Sequence, residues 1–331
     1  MKYEDKEKMK VPLVFPTEAD LFPSGRRISL WTHIGNAFLG LLLTPILLAF
    51  SCLFLAFWLI LTLSGLGPLL ECCLSAKDGR RLQREKLLGK HPEMFLLEMS
   101  GDTSRASKGE AYQVMVRMTV PTNNPSNLSN LPPLIFPGGL AANLCAIAKH
   151  QDELTKKGFL VVNFDRFGVG FSDPNTGGAA PSALDVAREM DVVLHACAER
   201  AGLPDGTQWI AVGGSMGAIV TEAYMSFFPH RFCGFLNLDG FPMGFVETQC
   251  KEYLHDNPNT YGKMASLVWT GIMRFLFKGL MGGSLSKKFQ SDTFQGEDIL
   301  GLMTMRRFFA NTKLEFKTML SCADVVTTAW G

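Results

Sequence analysis

Residues 213–217 read Gly-Gly-Ser-Met-Gly, set between the apolar run Trp209–Val212 and a stretch, Met216–Phe228, that reads as a helix ended by Pro229. A serine in that setting can serve as the nucleophile of acyl transfer if a base and a charge-stabilising pocket are brought to it. The outer glycines have a steric reason. A strand that turns sharply into a helix brings two backbones together, and Gly213 and Gly217 lack the Cβ atoms that would collide. The turn holds Ser215 in a strained conformation above the strand end, while the helix start aims N–H groups and positive dipole at developing negative charge. The five-residue string is weak by itself; its place between strand and helix gives it weight.

Such a serine needs a rigid scaffold, and the chain supplies alternating elements. Met94–Met99 reads as a strand, and in Tyr112–Val120 apolar and polar residues alternate as on a half-buried strand. Residues 121–133, rich in Pro, Asn and Ser, form a loop by composition. Leu134–Phe136 is then a short buried strand ending in Pro137-Gly138-Gly139, residues 141–157 read as a helix stopped by Gly158, and Phe159–Phe164 as a strand. Ser182 caps a further helix with Asp185 three residues on, and this helix ends at Gly202. Gly234–Leu238 is the last clear strand. Strand and helix in repeated alternation imply an α/β fold, with a mostly parallel sheet, helices on both faces and the first strands forming an antiparallel edge. This core is expected over residues 94–242. Residues 243–331 break the rhythm and read as a helical lid insertion, rich in Phe, Met, Leu, Lys and Arg.

The stretch from Leu131 to Pro242, about a third of the chain, resembles the α/β-hydrolase fold family. Three segments carry the resemblance, in the family's order: "LIFPGGL", "FDRFGVGFSD" (164–173) and the Ser215 turn. By that resemblance Ser215 is the nucleophile, and the backbone N–H groups of Met216 and Leu140 form the oxyanion hole. Asp165, Arg166, Gly168 and Gly170 shape a loop rather than do chemistry. The family's order places an acid and then a histidine after the serine. Asp239, ending the strand "FLNLD", stands where some members keep the acid. Of six histidines only His230 and His255 follow Ser215. His230 reads as a surface residue one turn past the helix, which leaves His255 as the base candidate. After Asp239 no pair of strands followed by Gly-His is legible. The economical expectation is a chain incomplete at its C-terminal end; the rival is a genuine loss of catalysis.

The N-terminal part departs most from an average chain. From Ile28 to Leu70 no Asp, Glu, Lys or Arg occurs, and about 20 apolar residues suffice to span a bilayer. Residues 28–70 are therefore expected to be a transmembrane segment. A continuous helix of that length would reach roughly 64 Å, twice the hydrocarbon thickness, so a hairpin broken at Pro45 and a single tilted span both remain open. Residues 1–27 read as a flexible polar tail and 71–93 as a basic linker, and the charges flanking the apolar run place the bulk of the chain in the cytosol. The net charge of +1 among 331 residues argues against a nucleic-acid partner, and the eight scattered cysteines have no zinc-site spacing. No metal or organic cofactor is implied.

The reading that joins these features is a membrane-anchored serine hydrolase acting on an ester, for example an acyl lipid met at the bilayer surface, or on an amide. Two alternatives stand beside it. One is a catalytically inactive protein of the same fold that binds a ligand in its cleft; the other is an acyltransferase.

Overall fold

The structure is a computed structural model. It describes residues 44–45, 48–60, 80–100, 111–121, 131–175, 178–240, 251–270 and 305–330, with single positions within 62–73, 274–294 and 302–303. The chain divides into two compact units, Met1–Leu59 and Ile60–Gly331.

In the first unit, residues 48–59 are helical. The large apolar side chains of this helix face outward: Leu48, Phe50, Leu53, Leu55, Phe57 and Leu59 are each more than half exposed. Phe54 stacks on Trp58 at 5.3 Å between ring centroids. Among the described residues no helix is long and apolar enough to cross a membrane. The remainder of the expected segment up to residue 47 lies largely outside the described residues.

The second unit is built on one six-stranded sheet. In chain order it runs α1 (Arg80–Lys90), β1 (Met94–Met99), β2 (Tyr112–Thr119), β3 (Leu134–Pro137), α2 (Ala148–Lys156), β4 (Val161–Phe164), α3 (Ala183–Arg200), β5 (Trp209–Gly214), α4 (Met216–Phe227), β6 (Phe232–Leu238), α5 (Lys251–Leu267) and α6 (Arg306–Trp330). The strand order is β1-β2-β4-β3-β5-β6. β1 and β2, and β2 and β4, pair antiparallel; the pairs among β4, β3, β5 and β6 are parallel.

Sequence and burial agree on why the middle is parallel. β3 (LIFP) and β4 (VVNF) are buried at every position, as strands covered on both faces must be. One face packs on α3, joining Val114, Val116, Ile135 and Val162 to Met190, Val193 and Leu194. The other packs on α2, joining Leu134, Phe136, Val161 and Val212 to Ile147 and Leu154. α3 starts as its sequence demands: Ser182 and Asp185 form a reciprocal capping box. α6 lies across α3 and α4, its Phe316, Met319 and Val326 against Val186, Met216, Ile219 and Val220.

One helix starts later than its apolar pattern predicts. Residues 141–143 are loop, with Ala141 in a left-handed conformation (φ 55°). A 3-10 turn over Leu144–Ile147 then leads into α2, with Asn143 accepting from the Cys145 N–H. The reason is tertiary. The buried Asp165 carboxylate takes the Leu144 N–H at 2.5 Å, and Asn163 on β4 donates to the Leu144 carbonyl at 2.7 Å. These bonds replace the first helical turn and leave residues 138–143 free to form a loop beside Ser215.

Candidate active site

β5 and α4 deliver Ser215 as their shared hinge. Its backbone is left-handed, φ 51° and ψ −126°, a conformation that costs an L-residue energy and persists only where the surroundings fix it. Those surroundings are the glycines. A Cβ on residue 213 would stand 2.6 Å from the Ala218 Cα and 2.8 Å from its nitrogen, and one on residue 217 would overlap the Pro137 carbonyl oxygen. β5, β3 and the first turn of α4 are thus in backbone contact around the serine. Ser215 is exposed, and among the described residues its hydroxyl makes no hydrogen bond.

The loop after β3 closes one side. A Cβ on Gly139 would meet the Ser215 Cβ at 3.7 Å. The half-buried Leu140 follows in the same loop. Met216 opens α4 and is fully buried, so only its backbone can face the serine's surroundings. Neither the Leu140 nor the Met216 N–H has a hydrogen-bond acceptor among the described residues. Two donors left open beside a serine at a helix N-terminus can take up negative charge developing on an attacked carbonyl.

The loop is held from behind by two residues. Arg166 donates to the carbonyl oxygens of Gly138 and, at 2.9 Å, of Gly139. Glu315 of α6 pairs with Arg166 and accepts the Ala141 N–H at 2.7 Å. Both side chains are almost wholly buried. Asp165 binds the Leu144 and Phe171 N–H groups, so the pair Asp165–Arg166 ties two loops together, each residue to its own partners. Glu315 was not legible in sequence: its signal is an acid beside the apolar positions Phe309, Phe316 and Met319 of α6. A cleft behind the loop is lined by Asn143, Gly170, Arg307, Asn311 and Thr312 as well as Glu315. Burial lowers the pKa of the Arg307 guanidinium from its ordinary value.

Asp239 follows β6 directly. Gly214 pairs with Leu238, so Ser215 and Asp239 each follow directly on neighbouring parallel strands at the same level. Asp239 is exposed and, like Ser215, left-handed (φ 56°). Of the histidines after Ser215, His230 is exposed, in the 3-10 turn Pro229–Arg231 that follows α4. His255 falls on α5, and its side chain lies outside the described ones. Among the described side chains no histidine bonds Ser215. No group of three or more His, Cys, Asp or Glu among the described residues could hold a metal ion.

A family model described as the alpha/beta hydrolase fold matches residues 132–307. No curated protein matches the sequence. Similar solved structures include a probable hydrolytic enzyme from Pseudomonas aeruginosa, 13% identical over 68% of this chain and 66% of that one, TM-score 0.48. An alpha/beta hydrolase enzyme from a Medee basin deep-sea metagenome library is 14% identical over 62% and 68%, TM-score 0.42. A structure from a study of carboxylesterases of Nitrososphaera gargenis is 16% identical over 71% and 73%, TM-score 0.40.

Proposed function

This chain belongs to the alpha/beta hydrolase fold family, and from that premise we propose that it is a serine hydrolase, anchored to a membrane, whose nucleophile is Ser215. The hydroxyl attacks an ester or amide carbonyl. The C–O or C–N bond to the leaving group breaks, and water then cleaves the acyl-serine to the acid and the free enzyme. The Leu140 and Met216 N–H groups stabilise the oxyanion in both steps. Asp239 is the candidate acid, and His255 the candidate base that takes the serine proton and returns it to the leaving group. The observation that carries this reading is the strained, left-handed Ser215 with its hydroxyl unbonded among the described residues, next to two open backbone donors.

Residues 28–70 supply the anchor in this reading, with the hydrolase unit in the cytosol. The charge-free sequence supports it, as do the outward-facing Leu and Phe side chains of residues 48–59. An enzyme held at a bilayer, with the Phe-, Met- and Leu-rich sequence of residues 243–331 read as a lid, suits an acyl lipid as substrate. The test compares p-nitrophenyl acyl esters in solution with the same esters in phospholipid vesicles, using the full chain and Ser215→Ala. Release of nitrophenol that depends on Ser215 and rises on vesicles supports both parts. Release that Ser215→Ala leaves unchanged removes the hydrolase reading. The competing reading, a binding protein of the same fold, is favoured by one observation: no described histidine side chain bonds Ser215.

A further inference from the structure

We infer that Glu315 is a positioning residue: through Arg166 and the Ala141 amide it sets the orientation of the oxyanion loop, making helix α6 an integral part of the active site. The inference rests on the reading of Leu140 as an oxyanion donor, and its main measurement is independent of catalysis.

In a trans peptide the C=O and N–H point to opposite sides. The Gly139 carbonyl and the Leu140 N–H belong to one peptide unit. Arg166 Nη2 binds that carbonyl at 2.9 Å, and Nη1 binds the Gly138 carbonyl. The same carbonyl also accepts the Ala142 N–H at 3.2 Å, and holding it on the Arg166 side turns the Leu140 N–H away from Arg166. Were this peptide to flip, the Gly139 carbonyl would leave Arg166 and take the place of the donor.

Arg166 is itself oriented by Glu315, whose Oε1 takes its Nε at 3.1 Å and its Nη2. The other carboxylate oxygen accepts the Ala141 N–H at 2.7 Å, which locks the next peptide at a left-handed residue. One carboxylate therefore fixes two consecutive elements of the loop from a helix 174 residues further along the chain. No neutral side chain of this size offers two acceptor oxygens. The pair is also nearly dry, Arg166 4% and Glu315 9% exposed in their side chains, so solvent screens it little.

The experiment measures amide hydrogen exchange across residues 138–142 in the full chain, together with kcat and KM on a soluble ester. In Glu315→Ala the Ala141 amide should exchange at least about tenfold faster, as expected for one lost charge-assisted hydrogen bond. kcat should fall by about 10²–10³ with KM unchanged, the effect of losing an oxyanion donor. Glu315→Ala leaves a buried unpaired guanidinium, so the double variant Arg166→Met/Glu315→Leu is made beside it. Replacing both ions by apolar groups keeps the fold while freeing the loop. It should show the same faster exchange at Ala141 with an unchanged melting temperature. Asn311→Ala, which from the same helix loses the one bond Asn311 makes among the described residues, to the Gly168 carbonyl, should leave Ala141 exchange as it is. Unaltered Ala141 exchange in the folded double variant overturns the inference. Absence of Ser215-dependent turnover in the wild type would instead strike at the hydrolase reading, and the exchange result would still stand or fall by itself.

Discussion

Gly213→Ala is the sharpest perturbation of the Ser215 turn. The added methyl would sit 2.6 Å from the Ala218 Cα, 2.8 Å from the Ala218 nitrogen and 2.9 Å from the Gly217 carbonyl carbon. Carbon atoms meet comfortably at about 3.5–4.0 Å, so the overlap is about 1 Å and falls on backbone, which cannot rotate away. Either β5 or the first turn of α4 must shift by that amount, and Ser215 lies between them. Overpacking of this kind costs about 1–3 kcal/mol, which in a domain of this size lowers Tm by roughly 2–4 °C per kcal/mol. A misplacement of about 1 Å at a reacting group costs on the order of 10²-fold in rate. Gly214→Ala is the internal comparison. Its methyl would meet the Leu238 carbonyl oxygen at 3.1 Å, a few tenths of an ångström too close. Thermal unfolding and the rate of fluorophosphonate labelling, measured on both variants, give the order wild type, Gly214→Ala, Gly213→Ala. Wild-type labelling and Tm in Gly213→Ala, or a larger loss in Gly214→Ala, would refute the steric account of the turn.

Asp239→Asn, which tolerates the left-handed backbone, should lower kcat by at least about 10²-fold while stability stays within about 0.5 kcal/mol; a wild-type kcat would remove Asp239 from the catalytic set. Burial pushes the Cys197 thiol up from 9.0 to about 12. The unfolded thiol then ionises first, the unfolded state binds fewer protons above pH 9, and this contribution to stability is full below pH 9 and lost as pH climbs toward 12. Denaturant titrations of wild type and Cys197→Ala across that range should show the steeper decline in wild type, and parallel curves would contradict the assignment. Removing residues 1–70 should move the protein from the membrane pellet to the supernatant after alkaline extraction, whereas continued sedimentation with the bilayer would place the anchor elsewhere.

How far the sequence foretold the molecule depended on the range of the forces involved. β3, β4 and β5 were legible because buried parallel strands are short apolar runs bounded by turn residues, and α3 because its capping box is local. The Ser215 turn was legible for the same reason: its glycines answer a clash within five residues. The start of α2 was misplaced because Asp165 and Asn163 capture the Leu144 backbone from β4 and the loop after it. Glu315 was invisible for a stronger version of that reason. Nothing near it in sequence distinguishes a solvated helical acid from one buried against Arg166, and its partners are separated from it by 149 and 174 residues. His255 is on α5, but helix placement alone does not bring an imidazole to Ser215.

Mapping the site of phosphonylation on the full chain tests the central claim most directly. After reaction with a fluorophosphonate, digestion and mass analysis of the peptide containing residues 209–224 should show the adduct on Ser215, and Ser215→Ala should show none. An adduct at another residue, or labelling that Ser215→Ala leaves intact, would contradict the account.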